Sequence, residues 1–445
     1  MIEITDDSDK SLGIEKELVS IYSDFLHEVP ELKKEVTFQN AKKMEIHNWF
    51  QYTQGFSPGL LSHYVEKWSL DRSQKLLDPF VGSGTSLVFC QHHEIQSEGW
   101  DISPLAVLLS EAKTAKFVDI DVDSLKGDIE QNILVLKDLQ DLQDLDKYPP
   151  QIVKHLNKSF PEDTLKEILA VRKAIDKIEN NELRKISLVA FISTLEKSSY
   201  IRKHGSHYRF MNTENTGVQR KLDFTKIDYK QNFYSKLEEI IREIGKNQSR
   251  RAESIVKLQD ARFGKISGDL ATFVITSPPY LNRNNYIAQS KIEMFLSGLL
   301  TTFDEYRDLT KKTLRSHVEA GPIEEIPSLE CSYVGEICKT VLERGESYKG
   351  VSQMIEGYFD DMSKAMQNLA DSLDSGAMVA LAVGCSRWSG VVVPTDLLIA
   401  HHAIATGHYK LKSVDVVRYK GNAPQQMAKW GRYPVRESVL VMERL

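Results

Sequence analysis

The feature that most constrains the fold is a short apolar strand that runs into a glycine-rich turn and then into an apolar helix. Residues 75–80 read KLLDPF, the turn is Gly82-Ser83-Gly84-Thr85, and the apolar stretch SLVFCQHH follows. A second strand, IQSEGWD, ends at Asp101, and a helix is predicted near Pro104 because proline fits the first helical position. Two successive β-α units favour a mostly parallel sheet with right-handed crossovers, which is an α/β fold.

The glycine turn and Asp101 together predict a ligand site. Glycines at the carboxyl end of the first strand let a ligand approach the backbone closely. The turn lacks the Gly-Lys-Ser/Thr of a phosphate loop, and Leu87 stands where a dinucleotide fingerprint needs its third glycine. Asp101 is placed to accept hydrogen bonds from a ribose diol, although it could instead cap the following helix. Its combination with the glycine turn favours the ribose.

A rigid turn follows another predicted strand. The strand ATFVI leads into Thr276-Ser277-Pro278-Pro279-Tyr280, in which both prolines fix their own φ and neither donates a backbone hydrogen bond. Carbonyl acceptors beside a tyrosine ring suit a planar substrate that carries an amino group. A Pro-Pro turn that only ends a strand is the simpler interpretation, but it is less favoured in a sheet that already has a ligand turn.

The motifs DPFVGSGT, GWDISP and TSPPY together resemble the S-adenosylmethionine-dependent DNA methyltransferases that modify exocyclic amino groups. Residues 47–58 (HNWFQYTQGFSP) are similar to the family segment that closes over the methionine end of the cofactor, and residues 258–262 (LQDAR) to the acidic motif near the adenine ring. The resemblance implies a class I methyltransferase (Rossmann-like) fold, with a seven-stranded sheet whose last strand is antiparallel.

The alternation of strands and helices stops between residues 119 and 251, where long amphipathic stretches predict helices. One catalytic domain with a helical insertion accounts for this order better than two independent domains. The predicted division is an acidic N-terminal appendage over residues 1–40, the cofactor-binding part of the catalytic domain over 41–118, a helical insertion and candidate DNA-contacting module over 119–254, and the second catalytic part with TSPPY over 255–445.

The resemblance also implies a role for each motif residue. S-Adenosylmethionine would be the cofactor, and the residues expected to bind it are Tyr52, Phe56, Asp78, Phe80, Gly82, Gly84, Thr85, Asp101, Ile102, Asp260 and Ala261. The family flips its target base out of the duplex. Ser277 and the Pro278 carbonyl would hold the amino group of that base, Tyr280 would stack on it, and Pro279 completes the catalytic tetrapeptide. In-line positioning then supplies much of the rate, so no strong general base is required.

The identity of the methylated base follows less directly. In the family, serine at the first position of the tetrapeptide accompanies methylation of cytosine N4, whereas Asp or Asn accompanies methylation of adenine N6. A hydroxyl both donates and accepts, so Ser277 favours cytosine without excluding adenine. Methylation of cytosine carbon 5 needs a cysteine that follows a proline, and no cysteine here does so. An RNA methyltransferase and a non-catalytic DNA-binding subunit are further alternatives, and the intact motifs disfavour the second.

The charge of the chain is distributed unevenly. The net charge is −6, and residues 1–40 alone carry ten acidic residues against four lysines. Residues 197–251 carry 13 Lys or Arg against six Asp or Glu. Cations and aromatics interleave there, so Lys197, Arg202, Lys203 and Arg209 are predicted to contact DNA. A solvated helical face is the simpler interpretation of such a run, and residues 306–317 are a second cationic candidate.

The remaining expectations concern location and partners. No run of about 18 apolar residues occurs and the N-terminus is acidic, so we expect a cytoplasmic protein that does not enter a membrane. Cys331 and Cys338 lack a matching Cys or His pair, and no metal site is expected. DNA is the expected substrate, with a cognate restriction endonuclease as a candidate partner.

Overall fold

The structure is a computed structural model, and its secondary structure is assigned along most of the chain. It describes residues 10–52, 54–115, 127, 142–204, 207–210, 228–246, 252–281, 284–322, 332–346, 348–421 and 424–445. Strands β1 to β12 are Leu26–Glu28, Lys75–Asp78, Gln96–Asp101, Ile201–His204, His207–Phe210, Ser254–Leu258, Ala271–Thr276, Leu373–Gly384, Ser386–Trp388, Val391–Val393, Tyr409–Lys420 and Val435–Arg444. Helices α1 to α15 are Lys10–Ile21, Gly59–Lys67, Thr85–His92, Pro104–Thr114, Pro150–Ser159, Glu162–Asp176, Asn181–Leu195, Tyr229–Lys246, Tyr286–Gln289, Lys291–Ser297, Phe303–Lys312, Ser332–Glu343, Val351–Ala370, Thr395–Ala405 and Pro424–Trp430. Short 3₁₀ turns cover Ser23–Phe25, Pro30–Lys34, Ala41–Lys43, His47–Trp49 and Leu142–Lys147.

One central sheet organises the fold. Its strand order is β1-β11-β12-β8-β7-β2-β3-β6. The last strand, β12, is antiparallel to both of its neighbours, and the other pairs in this sheet are parallel. The prediction of an α/β fold with a mostly parallel sheet is therefore confirmed. The sheet has eight strands where the sequence predicted seven.

The additional strand, β1, comes from the acidic N-terminal region. Residues Leu26–Glu28 pair in parallel with Val414–Val416 at the outer edge of β11. Leu18 on α1 is fully buried in the core beneath the C-terminal strands. The acidic side chains of residues 10–40 lie between a few apolar positions, and these positions pack the segment onto the sheet.

Both faces of the central sheet are covered. On β2 and β7, Leu76 and Phe273 face the core that contains α2 and α3, whereas Leu77 and Val274 face the core that contains α13 and α14. Successive side chains of a strand point to opposite faces, so apolar runs such as these serve two cores at once. The carboxyl ends of β2, β3, β6 and β7 consequently meet at one edge between the layers.

The described part of the predicted insertion contains helices α5 to α8 and the antiparallel hairpin β4–β5. The hairpin was not predicted, because its short strands lie within a cationic stretch without a strong strand pattern. The helices share a hydrophobic core with α4 and with Trp49 and Phe50. Glu243 on α8 is buried and accepts hydrogen bonds from the Ile46 backbone N–H at 2.7 Å and from Trp49 Nε1 at 2.8 Å. The insertion thereby holds the segment that precedes Tyr52.

None of the helices in the described ranges is long and apolar enough to cross a membrane.

Candidate active site

A cavity of about 270 Å³ lies at the carboxyl ends of β2, β3, β6 and β7. Ligands of α/β sheets bind at this edge. Of the 15 residues predicted for cofactor binding and catalysis, 13 line the cavity. The other two, Asp78 and Gly84, lie outside its wall. Motifs that are more than 200 residues apart in the sequence are therefore neighbours in space.

The glycine turn forms one wall of the cavity. Gly82 has φ +53° and donates its backbone N–H to Asp101 Oδ2 at 3.0 Å. A Cβ atom at Gly82 would lie 3.0 Å from Cε1 of Tyr52, so the tyrosine ring rests directly on the turn. Ser83 Oγ is buried and has no hydrogen-bond partner among the residues described. Phe56, Phe80 and Thr85 complete this side of the wall.

Asp78 and Gly84 support the turn from behind. The Asp78 carboxylate accepts hydrogen bonds from the Phe80 backbone N–H and from the hydroxyls of Ser86 and Thr276. Burial raises the pKa of Asp78 to about 6, although these hydrogen bonds oppose the shift. Asp78 therefore ties the glycine turn to the end of β7. Gly84 has φ +79°, and a Cβ there would lie 3.0 Å from the Ser110 Cα on α4.

Asp101 faces the cavity together with Ile102. Its Oδ1 accepts the Ser103 backbone N–H at 2.8 Å, while Oδ2 accepts that of Gly82. The residue that caps α4 is Ser103, so Asp101 is not the cap itself. Burial raises the pKa of Asp101 to about 6, against the effect of its backbone hydrogen bonds. Each carboxylate oxygen keeps a lone pair with which it can accept a further hydrogen bond.

Asp260 and Ala261 line the cavity after β6. Both carboxylate oxygens of Asp260 are engaged by the guanidinium of Arg262, with Nε 3.0 Å from Oδ1 and Nη2 2.6 Å from Oδ2. Arg262 also donates to Asp361 Oδ1 at 2.8 Å. Asp260 is thus a fixed part of the wall with little remaining capacity to accept hydrogen bonds.

The tetrapeptide that begins at Ser277 forms the opposite side of the cavity. Ser277 Oγ donates to the Ala382 carbonyl at 3.1 Å, which leaves lone pairs of its oxygen available. The Tyr280 ring lies against Gly384, where an added Cβ would approach Cδ2 to 2.9 Å. Pro278 and Pro279 also line the cavity. A planar amino-bearing group can therefore meet acceptors and an aromatic ring together.

Sequence reasoning missed a charged group beside this ring. Arg418, Lys420 and Glu437 line the cavity, and the buried Glu437 carboxylate accepts from both cations. The Lys420 Nζ lies 5.0 Å from the centroid of the Tyr280 ring, within cation–π range. Burial lowers the pKa of Lys420. Arg418 and Lys420 are two residues apart on β11, so their side chains share one face of the strand. This spacing is the sequence signal that could have indicated the two cations.

Comparison with known proteins finds relatives that match most of the chain. No family model matches the chain. The chain is 27% identical to the type II methyltransferase M.BsoBI of Geobacillus stearothermophilus, across 96% of this chain and 92% of that protein. It is 25% identical to the type II methyltransferase M.AvaI of a Nostoc species, across 93% and 89%. The type II methyltransferase M.MvaI of Kocuria varians is 24% identical across 56% and 57%. The chain is thus similar along almost its whole length to type II methyltransferases.

Of the four cations predicted to contact DNA, Lys197, Arg202 and Lys203 do not line the cavity. Lys197 is exposed. Arg202 Nη1 donates to the carbonyls of Glu196, Ser199 and Ile201, and Lys203 pairs with Glu293 on α10. Arg209 is opposite Arg202 in the hairpin, and its side chain lies outside the description. DNA contact by these four residues stays a prediction.

The second cationic candidate, residues 306–317, is not a simple basic surface. Arg315 binds the carboxylates of Asp360 and Asp361. His317 lines the cavity.

Within the described ranges, no group of three or more His, Cys, Asp or Glu side chains is arranged to hold a metal ion.

Proposed function

We propose that the protein transfers a methyl group from S-adenosylmethionine to the exocyclic N4 of cytosine in a flipped-out base of DNA. The observation that carries the proposal is the shared cavity, which brings Ser277, Pro278 and Tyr280 together with Gly82 and Asp101. Similarity to type II methyltransferases supports the proposal of site-specific action on DNA in a restriction–modification system, with a cognate restriction endonuclease as the proposed partner.

The residues of the cavity fit S-adenosylmethionine. Gly82 brings the backbone close to the ligand space where a side chain would collide with Tyr52. The buried Ser83 hydroxyl has no partner within the described ranges, and buried polar groups normally have one. Asp101 offers its remaining lone pairs to two ribose hydroxyls. When bound, the cofactor would supply an electrophilic methyl group on its sulfonium.

The tetrapeptide would hold and orient the target base. The Ser277 proton is donated to the Ala382 carbonyl, so Ser277 faces an amino group as an acceptor. The Pro278 carbonyl is a second acceptor, and the two together can take both hydrogens of one amino group. Tyr280 supplies a face for stacking. With the amino nitrogen fixed in this way, its positioning accounts for much of the rate.

We further propose that the insertion over residues 119–254 contributes to DNA binding while residues 41–118 and 255–445 form the catalytic domain. Lys197 is available to a phosphate group, because it is exposed. Arg202 and Lys203 order the hairpin through their internal contacts. Arg209 is the fourth cation in this proposal, and residues 1–40 are the proposed acidic N-terminal appendage, of which Leu26–Glu28 pairs with the sheet.

The test of the function is transfer of labelled methyl groups to genomic DNA, followed by modification-sensitive sequencing of DNA from cells that express the gene. N4-methylcytosine within one recognition sequence is the expected product. N6-methyladenine at the same position would support the adenine alternative, and modification of RNA alone would support the RNA alternative. Duplex binding without any transfer would mean that the protein is a non-catalytic subunit.

Cofactor affinity is expected to fall as the pH drops through about 6. The pKa of Asp101 is about 6, and only the ionised carboxylate above that pH accepts hydrogen bonds from both ribose hydroxyls. Asp101→Asn should therefore bind S-adenosylhomocysteine about tenfold more weakly at pH 8, since hydrogen bonds to charged groups contribute about 1.5–3 kcal/mol. Isothermal titration calorimetry from pH 5 to 8 measures both effects.

Asp269→Asn is the control for this titration, because Asp269 is exposed and does not line the cavity. Its affinity and pH profile should match those of the unmodified protein. Asp78 titrates in the same range, and it remains intact in both variants. An unchanged profile in Asp101→Asn would assign the pH dependence to Asp78 and contradict the prediction for Asp101.

A further inference from the structure

The residues directly after α11 contribute a wall to the cavity that no sequence motif indicated. Thr313, Leu314, Ser316 and His317 all line it. Ser316 is 1% exposed and His317 is 3% exposed. Ser316 Oγ and His317 Nδ1 have no hydrogen-bond partner among the residues that the structure describes. Two buried polar atoms that lack partners thus lie at the wall of the ligand cavity.

Residues 312–315 are held in place by ion pairs and hydrogen bonds. The Arg315 backbone N–H and Nε both donate to Asp361 Oδ2, at 2.8 and 3.0 Å. Arg262 donates to the Lys312 carbonyl at 2.6 Å and to Asp361 Oδ1 at 2.8 Å. The same Arg262 binds Asp260, which also lines the cavity. Ser316 and His317 are therefore fixed beside the turn after β6.

The hydrogen bonds of His317 determine what its free nitrogen can do. Thr313 Oγ1 donates its proton to the Thr310 carbonyl at 2.7 Å, so it accepts from His317 Nε2 at 3.0 Å. Burial lowers the pKa of His317 to about 4, against the opposing effect of Glu319, and the ring is neutral near pH 7. A neutral imidazole with its proton on Nε2 has a lone pair on Nδ1. His317 Nδ1 is thus an acceptor, while Ser316 Oγ can donate.

We propose that His317 Nδ1 and Ser316 Oγ bind the amino edge of a nucleobase, in which an exocyclic amino group adjoins a ring nitrogen acceptor. His317 Nδ1 accepts an amino hydrogen, and the Ser316 hydroxyl donates to the ring nitrogen. Adenine of the cofactor and a flipped cytosine share this edge. The inference rests on the proposed function, because that function brings both bases to the cavity.

Two observations favour the adenine of the cofactor. Ser277 and the Pro278 carbonyl already offer two acceptors to the amino group of the target base. The carboxylate of Asp260, on the cofactor side of the cavity, is engaged by Arg262 at both oxygens. The amino group of the adenine consequently needs another acceptor, and His317 is fixed next to that turn.

The test compares S-adenosylhomocysteine with S-inosylhomocysteine, in which an oxo group replaces the amino group. The unmodified full-length protein should bind the first at least about tenfold more tightly, a difference of about 1.4 kcal/mol. His317→Gln places its amide near the Nε2 position, where it can keep the contact with Thr313, and it has no acceptor at Nδ1. This variant should lose the preference and bind S-adenosylhomocysteine about tenfold more weakly. Ser316→Ala should weaken binding severalfold.

His27→Gln is the matched control, because His27 is exposed and lies outside the cavity wall. His317→Gln could instead keep its affinity for S-adenosylhomocysteine and its preference over S-inosylhomocysteine while its KM for genomic DNA rises. This result would mean that His317 binds the amino edge of the target base and not that of the cofactor. No change in either measurement would overturn the inference and leave the proposed function intact. If the unmodified protein binds neither nucleoside, the proposed function fails, and the inference falls with it.

Discussion

Replacing Tyr280 by alanine is expected to lower kcat/KM for DNA about 100-fold and to leave the affinity for S-adenosylhomocysteine within about twofold. The ring lies against Gly384 and beneath the ammonium of Lys420, so it is held in place before any base arrives. Stacking of a base on an aromatic side chain contributes about 1–3 kcal/mol, and loss of the upper value corresponds to more than 100-fold. Steady-state methyl transfer and calorimetry measure the two quantities separately.

Two control variants sharpen this prediction. Tyr280→Phe keeps the ring and removes the hydroxyl, so its kcat/KM should stay within about threefold if stacking is the main role. Tyr419→Ala removes an exposed tyrosine from the residue next to Lys420, and it should have little effect. Equal losses of cofactor affinity and turnover in Tyr280→Ala would show that the ring supports the cofactor side instead of the base.

Replacing Arg436 by methionine is expected to lower the free energy of unfolding by about 3–5 kcal/mol, the range for a buried ion pair that loses one partner. Arg436 on β12 is buried, and its Nη1 lies 2.8 Å from Glu15 on α1. Its Nε lies 3.1 Å from Asp396 on α14. The variant would leave two buried carboxylates close together without a cation. Urea unfolding followed by far-ultraviolet circular dichroism measures the loss.

The pH dependence of unfolding gives this prediction a second readout. Burial raises the pKa of Glu15 even with Arg436 in place, and loss of the cation raises the pKa of Glu15 further. The folded variant then binds more protons than the unfolded one, so part of the lost stability should return as the pH falls from 8 to 5. Lys412→Met removes an exposed ion pair with Glu443 and should cost less than about 1 kcal/mol. A loss that small in Arg436→Met would contradict the expectation.

The parts of the site that the sequence predicts are those set by local chemistry. Gly82 has the positive φ that a glycine turn makes available, and Asp101 ends its strand next to that turn. The turn of Ser277 follows β7 directly because two prolines stop the strand. Each of these features depends on residues within one short segment, so the residue pattern alone indicates a ligand site.

The parts that the sequence does not predict depend on contacts between distant segments. Glu437 reaches the cavity because β12 pairs with β11 and β8 in a register that places it opposite Arg418 and Gly384. His317 reaches it because Arg315 and Arg262 share Asp361. The strand β1 forms by pairing in parallel with the edge strand β11. A residue pattern within one segment carries no information about such partners.

The position of β12 has a consequence for how the protein is made. This strand, Val435–Arg444, lies between β8 and β11 and joins them by hydrogen bonds on both sides. While a ribosome is still adding these residues, the two neighbouring strands have no common partner and the cavity lacks Glu437. The strands β1 and β11 therefore cannot join the other strands of the sheet before β12 is made. A chain released before residue 435 has two exposed strand edges, which are prone to aggregation. The wall of the cavity that contains Glu437 thus forms only after β12 has been added to the chain.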